Sequence, residues 1–340
     1  MSAETLEWLN QNSLIGFTEN RGNAWHYLEG YDNHFEGAIP VERVMSLLDV
    51  PLTEGVVTVT IYDENGAPRQ IEDPTRKAIV RTDTGQVFNY FKGGYQIHQY
   101  DEWLRQNLDL ILDGGLQFGS AILLKGGAIA AVQVEMPETR EASGSRGAEP
   151  VKHRPHVTAA TSSDGSMATV YMRGTRIWVC DNTLAYAMRE TDALKHKVRH
   201  SSNSLARIGE VRRSLALEVE AAGDEFDRMV QELTAQYVSD QKFSEVVKSY
   251  TGVDKAPEGR SKTIAENKET ALLDLWKKDE RVAPWKNSAW GVLAAFNTAD
   301  HHIFAQKGNV AKRAERNALR SLNGDREQFD GNVLRLLASV

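Results

Sequence analysis

The densest concentration of groups able to engage an anion lies between Lys152 and Arg213. Lys195, Lys197, Arg199, Arg207, Arg212 and Arg213 stand against Glu210 alone, interleaved with His196, His200, Ser201, Ser202, Asn203 and Ser204. Upstream, Lys152, His153, Arg154, Arg173 and Arg176 flank a hairpin pattern. Cations supply the charge that neutralises phosphate, and hydroxyl and amide groups add neutral donors to phosphate oxygens. The candidate phosphate contacts are Lys152, Arg154, Arg173, Arg176, Lys195, Lys197, Arg199, Arg207 and Arg213. Arg207 and Arg213 project away from the apolar arc Leu205, Ile208, Val211, Leu215 and Val219, whereas Arg212 lies within it. The competing reading is a solvated basic face balanced by acids elsewhere.

Other groups carry weaker chemistry. His196 and His200 have the spacing that sets two imidazoles on one helical face, but Lys195, Lys197 and Arg199 around them disfavour a dication. His301 and His302 are adjacent and point different ways on a helix. The only cysteine, Cys180, follows Ile177-Trp178-Val179 and reads as an inert buried thiol; it has no partner in the chain for a disulfide. Tyr171, Trp178 and Tyr186 could stack bases, yet each also fits a core position. No G-x-x-x-x-G-K-[ST], G-x-S-x-G, H-E-x-x-H or C-x-x-C occurs. No metal or cofactor is therefore expected, and the balance leans against an enzyme.

The whole chain is acidic. Its 340 residues carry a formal net charge of −7, so a nucleic-acid role requires a local basic patch. No apolar run is long enough to span a bilayer, and no secretory leader pattern is read at the start. A cytoplasmic protein without a membrane partner is the expectation.

The elements that must position these groups are legible from period and punctuation. Helices are expected around Leu6 to Leu9, from Pro40 through Leu48, and from Ile97 to Leu112. Val56 to Tyr62 alternates as a strand, and Ala78 to Val80 with Val87 to Tyr90 forms a hairpin around Asp83-Thr84-Gly85. Phe118 to Leu124 and Ala128 to Met136 make a second hairpin; His156 to Thr161 and Met167 to Met172 make a third. Thr139 to Lys152 reads as an exposed mobile loop, and Thr175 to Val179 as a separate short strand before a helix through Met188. Beyond Asp192 the pattern turns helical, with Gly252 to Gly259 as a linker. The expectation is an α+β protein, with antiparallel hairpins and a helix (β-β-β-α) followed by a helical C-terminal part. Its regions are 1–96, 97–220 with the basic segment, and 221–340.

Several stretches resemble a phage/plasmid-like domain-of-unknown-function family. They are Gly16-Phe17-Thr18-Glu19-Asn20-Arg21-Gly22-Asn23-Ala24-Trp25-His26, Gly114-Gly115-Leu116-Gln117-Phe118-Gly119-Ser120-Ala121, Val179-Cys180-Asp181-Asn182-Thr183-Leu184, His200-Ser201-Ser202-Asn203-Ser204, and Ala283-Pro284-Trp285 with Asn297-Thr298. The resemblance runs from about residue 14 to about residue 330 and implies a role in replication, recombination or host evasion. The order of hairpins, helix and basic segment is also similar to the core of phage single-strand annealing proteins, the Red beta, RecT and Erf group with their Rad-type relatives. That similarity implies a nucleotide-independent protein that binds single-stranded DNA as a homo-oligomeric ring or filament. Two alternatives remain: a protein-binding factor acting on a host defence system, and a metal-dependent nuclease-type enzyme with an unrecognised site.

Overall fold

The computed structural model describes residues 3–21, 27–105, 115–177, 195–198, 221–304, 316, 319–320, 322 and 325–340. Helix α1 (Ala3–Asn12) leads into strand β1 (Ser13–Ile15) and the single turn α2 (Thr18–Arg21). Helix α3 (Val41–Leu48) starts from Pro40, which sits at the N-cap, and buries Val44 and Leu48 four residues apart. Strands β2 (Leu52–Tyr62), β3 (Pro68–Arg81) and β4 (Gln86–Lys92) form an antiparallel three-stranded sheet, and α4 covers 100–105 of the described residues.

The larger sheet has seven strands among the described residues. These are β1, β5 (Gln117–Leu124), β6 (Ile129–Glu135), β8 (Val151–Ser162), β9 (Thr169–Ile177) and β10 (Lys195–Val198) in that spatial order, with the short β7 (Arg140–Ala142) also pairing β8. Every pairing is antiparallel. The β5–β6 turn is made by Lys125, Gly126 and Gly127, all at positive φ, which two glycines adopt without the penalty a Cβ brings. Both sheet faces are covered. One carries Ala121, Val132, Val157 and Tyr171 against Val44, Leu48, Tyr100 and Trp103. The other carries Leu124, Ile129, Ala160 and Met172 against Trp8, Leu319 and Leu322.

The C-terminal part is helical: α5 (residues 221–235), α6 (Asp240–Thr251), α7 (Arg260–Lys278), α8 (Ala289–Thr298) and α9 (Asp325–Ser339). Ser239 and Ser288 cap α6 and α8 by accepting the Lys242 and Gly291 backbone N–H groups, at 3.1 Å each. Helix α8 is apolar on nearly all sides and lies at the centre of this part, where Phe296 packs with Phe243 and Trp276. The molecule is an α+β protein, as the hairpin and helix patterns indicate.

Three local expectations need correction. The segment Thr139 to Lys152 is not a free loop. Strand β7 pairs β8, Ala142 and Val151 are buried with Phe226 and Trp290, and the Ser145 N–H donates to Thr234. Polar and glycine-rich composition suggested mobility; a few small apolar residues suffice to pin the segment to the helices. Thr175 to Ile177 is no separate strand but the continuation of β9. Residues 195–198 are strand rather than helix, because the edge of β9 offers Lys195-His196-Lys197-Val198 a hydrogen-bonding partner that local periodicity cannot report. The predicted helices within 181–188 and 205–219 lie outside the described residues.

Candidate nucleic-acid interface

Strand register decides which cations can act together. Lys152, Arg154 and His156 alternate along β8 on one pleat face. Arg154 pairs with position 176, His156 with Gly174, Thr158 with Met172, and Ala160 with Val170. Position 195 pairs with Met172, and position 197 with Val170. Backbone positions 152, 154, 176, 195 and 197 therefore share one face of three adjacent strands. Position 173 pairs with Val157 and falls on the opposite face. Arg199, Arg207 and Arg213 lie outside the described residues, as do Cys180, Trp178, Tyr186 and His200.

The two described cationic side chains of this group behave differently. Lys152 is exposed, 3.5 Å from an equally exposed Glu141 oxygen, an arrangement worth little in water. Arg154 is only 3% exposed. Its guanidinium carbon lies 4.0 Å from the centroid of the Phe17 ring, and its Nε donates to Thr139 Oγ1 at 3.2 Å. A desolvated cation–π contact of this kind is worth about 2 kcal/mol. Arg154 thus anchors the face from within rather than presenting its charge to solvent.

A buried polar row runs beside it. Glu135 on β6 pairs with His156, and Gln133 with Thr158; Glu135 is 1% exposed, and His156 and Gln133 are also buried. The Ser120 hydroxyl donates to Gln133 Oε1 at 3.0 Å. Gly119 makes room for Glu135: a Cβ there would collide with its carboxylate, and the β5–β6 register shifts at this point. Gly16 is equally constrained, with its N–H donating to the Gly119 carbonyl at 2.9 Å. A Cβ on Gly16 would come within 3.0 Å of the Gly37 carbonyl oxygen. Phe17 follows at φ 56°, a left-handed conformation rare for an aromatic residue, which turns its ring under Arg154. Two stretches distant in sequence, Gly16-Phe17 and Gly119-Ser120, therefore converge on Arg154 and Glu135.

On the opposite face, beyond the sheet's main core, α5 is locked down by charge. His153 Nε2 lies 2.6 Å from Asp227 Oδ1, and Arg140 bridges Asp224 and Asp227 at 2.6 Å each. Burial holds the His153 imidazole below its ordinary pKa; the Asp227 carboxylate opposes this, and Arg140 reinforces it. The neutral ring donating from Nε2 is the form that fits.

Sequence reading missed Glu135, Gln133, Phe17 and the His153–Asp227 pair. A signal existed in β6, where Gln133 and Glu135 interrupt an otherwise apolar strand, and in β5, where Gly119 breaks one. Tyr171 is core: it is buried, and its hydroxyl accepts from Trp103 Nε1 at 3.1 Å. His196 sits on a strand, so the helical two-histidine face does not form through it. Among the described residues no group of three or more His, Cys, Asp or Glu side chains could hold a metal ion, and no helix is long and apolar enough to cross a membrane.

Fold and site define a mixed α+β protein whose antiparallel sheet carries a buried polar row and, by register, lysine positions on β10, the last strand of the sheet among the described residues. The family model Domain of unknown function (DUF932) matches residues 87–322, well over half of the chain, and the protein belongs to that family. No curated protein and no solved structure matches it.

Proposed function

We propose that this chain is a non-enzymatic, ATP-independent single-stranded DNA-binding and annealing protein of a phage or plasmid, working in the cytoplasm as a homo-oligomer. The observation that carries the reading is the register of β8, β9 and β10, which sets positions 152, 176, 195 and 197 on the same pleat face as the buried Arg154. The middle of that face carries Ala160, Val170 and Met172 packed against Trp8, Leu319 and Leu322, so the phosphate contacts proposed are at its two rims, positions 152 and 176 on β8 and β9 and positions 195 and 197 on β10. Phosphate contact needs no sequence readout, which suits annealing of arbitrary strands. An acidic chain is compatible with this, because these contacts are local while the charge of −7 is global.

The test is fluorescence anisotropy of a labelled thymidine oligonucleotide titrated at several salt concentrations, with annealing of complementary strands followed in parallel without ATP. The wild type is expected to bind with a strongly negative salt slope. Lys152→Ala/Lys195→Ala/Lys197→Ala is expected to reduce that slope by about 2, since each phosphate contact contributes about 0.7 on a single strand. An unchanged slope, or no binding at low salt, would sink the assignment and favour a protein partner.

A further inference from the structure

The β2–β3 hairpin stands away from both cores along most of its length. Leu52 is buried and its carbonyl accepts from Gln99 Nε2, but from Thr53 onward β2 offers an outer edge that no described residue pairs. Val56, Val59 and Tyr62 are 67%, 54% and 70% exposed, and Ile61 and Ile71 are exposed as well. The two edges of this arm treat their open backbone in opposite ways. The distal edge of β3, beyond the reach of β4, carries Pro68, Arg69, Glu72, Asp73 and Pro74, residues that block strand addition. The β3 register against β2 also breaks there, between the Val56–Lys77 and Thr58–Glu72 pairs. Strand β2, Leu-Thr-Glu-Gly-Val-Val-Thr-Val-Thr-Ile-Tyr, has no proline, no lysine and one charge, and its β-branched residues favour pairing.

We infer that the outer edge of β2 pairs antiparallel with β2 of a second copy of this chain, joining two arms into one continuous sheet. A strand with a single charge is self-complementary, so a second copy is the partner that fits it. Full-length overlap centred on Val57 sets Glu54 opposite Thr60 of the partner subunit, so like charges never meet. Glu54 is already neutralised within its own chain by Lys77 Nζ at 2.5 Å. Val56 then faces Thr58 of the partner subunit, and Gly55 faces Val59 of the partner subunit. The arrangement is isologous, so one symmetric contact removes the open edge of both copies and closes. A strand seam with apolar flanks is smaller than the about 1,600 Å² of a standard interface, so the dimer is expected to be concentration-dependent. The inference stands independently of DNA binding.

Sedimentation velocity of the full chain over a wide concentration range tests it, with hydrogen exchange along Leu52–Tyr62. The wild type is expected to pass from monomer to twice the monomer mass, with β2 amide protection rising in step. Val56→Lys/Thr58→Lys places lysines across the seam in both directions and is expected to remain monomeric with unchanged circular dichroism. Val56→Glu/Thr58→Lys sets opposite charges across the same positions and is expected to restore the dimer. A wild type that stays monomeric, a dimer that survives the double lysine variant, β2 protection that appears only with a different protein, or failure of the charge-swapped variant to recover would each overturn the proposal.

Discussion

Replacing Gly119 by alanine tests the packing logic of the buried polar row. The added Cβ would stand 2.8 Å from Glu135 Cγ and nearer still to its carboxylate, so the side chain has to leave its place. Glu135 is buried, with His156 its register neighbour on β8, so the carboxylate cannot simply swing into water. Overpacking a tight site costs about 1–3 kcal/mol, and displacing a buried polar group from its place about 1–3 kcal/mol more. A loss of about 3 kcal/mol is expected, which lowers a urea midpoint by about 1 M at a slope of about 3 kcal/mol/M. The assay is urea unfolding followed by tryptophan fluorescence, run as a double-mutant cycle with Glu135→Ala. In the Glu135→Ala background the same Gly119→Ala change meets no carboxylate and is expected to cost under about 1 kcal/mol. Equal costs in both backgrounds would refute the account, and so would a Gly119→Ala protein as stable as the wild type.

Other perturbations probe separate links. Phe17→Leu keeps an apolar side chain but removes the ring under Arg154, so a stability loss of about 1–2 kcal/mol in urea is expected. His153 binds its proton less readily folded than unfolded; its contribution is present above about pH 6.5 and is lost as pH falls through the lower folded value. The stability gap between wild type and His153→Gln should therefore shrink on acidification, and a gap constant with pH would exclude burial of the imidazole, reinforced by Arg140, as the cause. Trp285→Phe deletes the indole donor to the Glu149 carbonyl at 2.9 Å, with an expected loss of about 1 kcal/mol and faster proteolytic cleavage within residues 143–150.

Much of the fold was legible because hairpins and amphipathic helices announce themselves locally. The Lys125-Gly126-Gly127 turn, the Asp83-Thr84-Gly85 turn and the spacing of Phe243, Val246, Val247 and Tyr250 each specify an element without help from distant residues. Residues 195–198 show the limit. Their strand exists because β9 presents an edge to them, and no local pattern contains that information. The candidate site was legible as a list of cations but not as a surface, since chemistry alone could not separate exposed Lys152 from buried Arg154 or place position 173 on the other face.

The amino-acid sequence determined the main hairpins and amphipathic helices, the acidic total charge and the cationic concentration between 152 and 213, since composition and period are properties of the chain itself. Tertiary structure alone decided that Gly16-Phe17 and Gly119 meet at Arg154 and Glu135, and that His153 meets Asp227. Register and burial arise from pairing between segments far apart along the chain. A residue's partner across a sheet is set by the whole fold, and with it whether a charge is offered to solvent or spent holding the protein together.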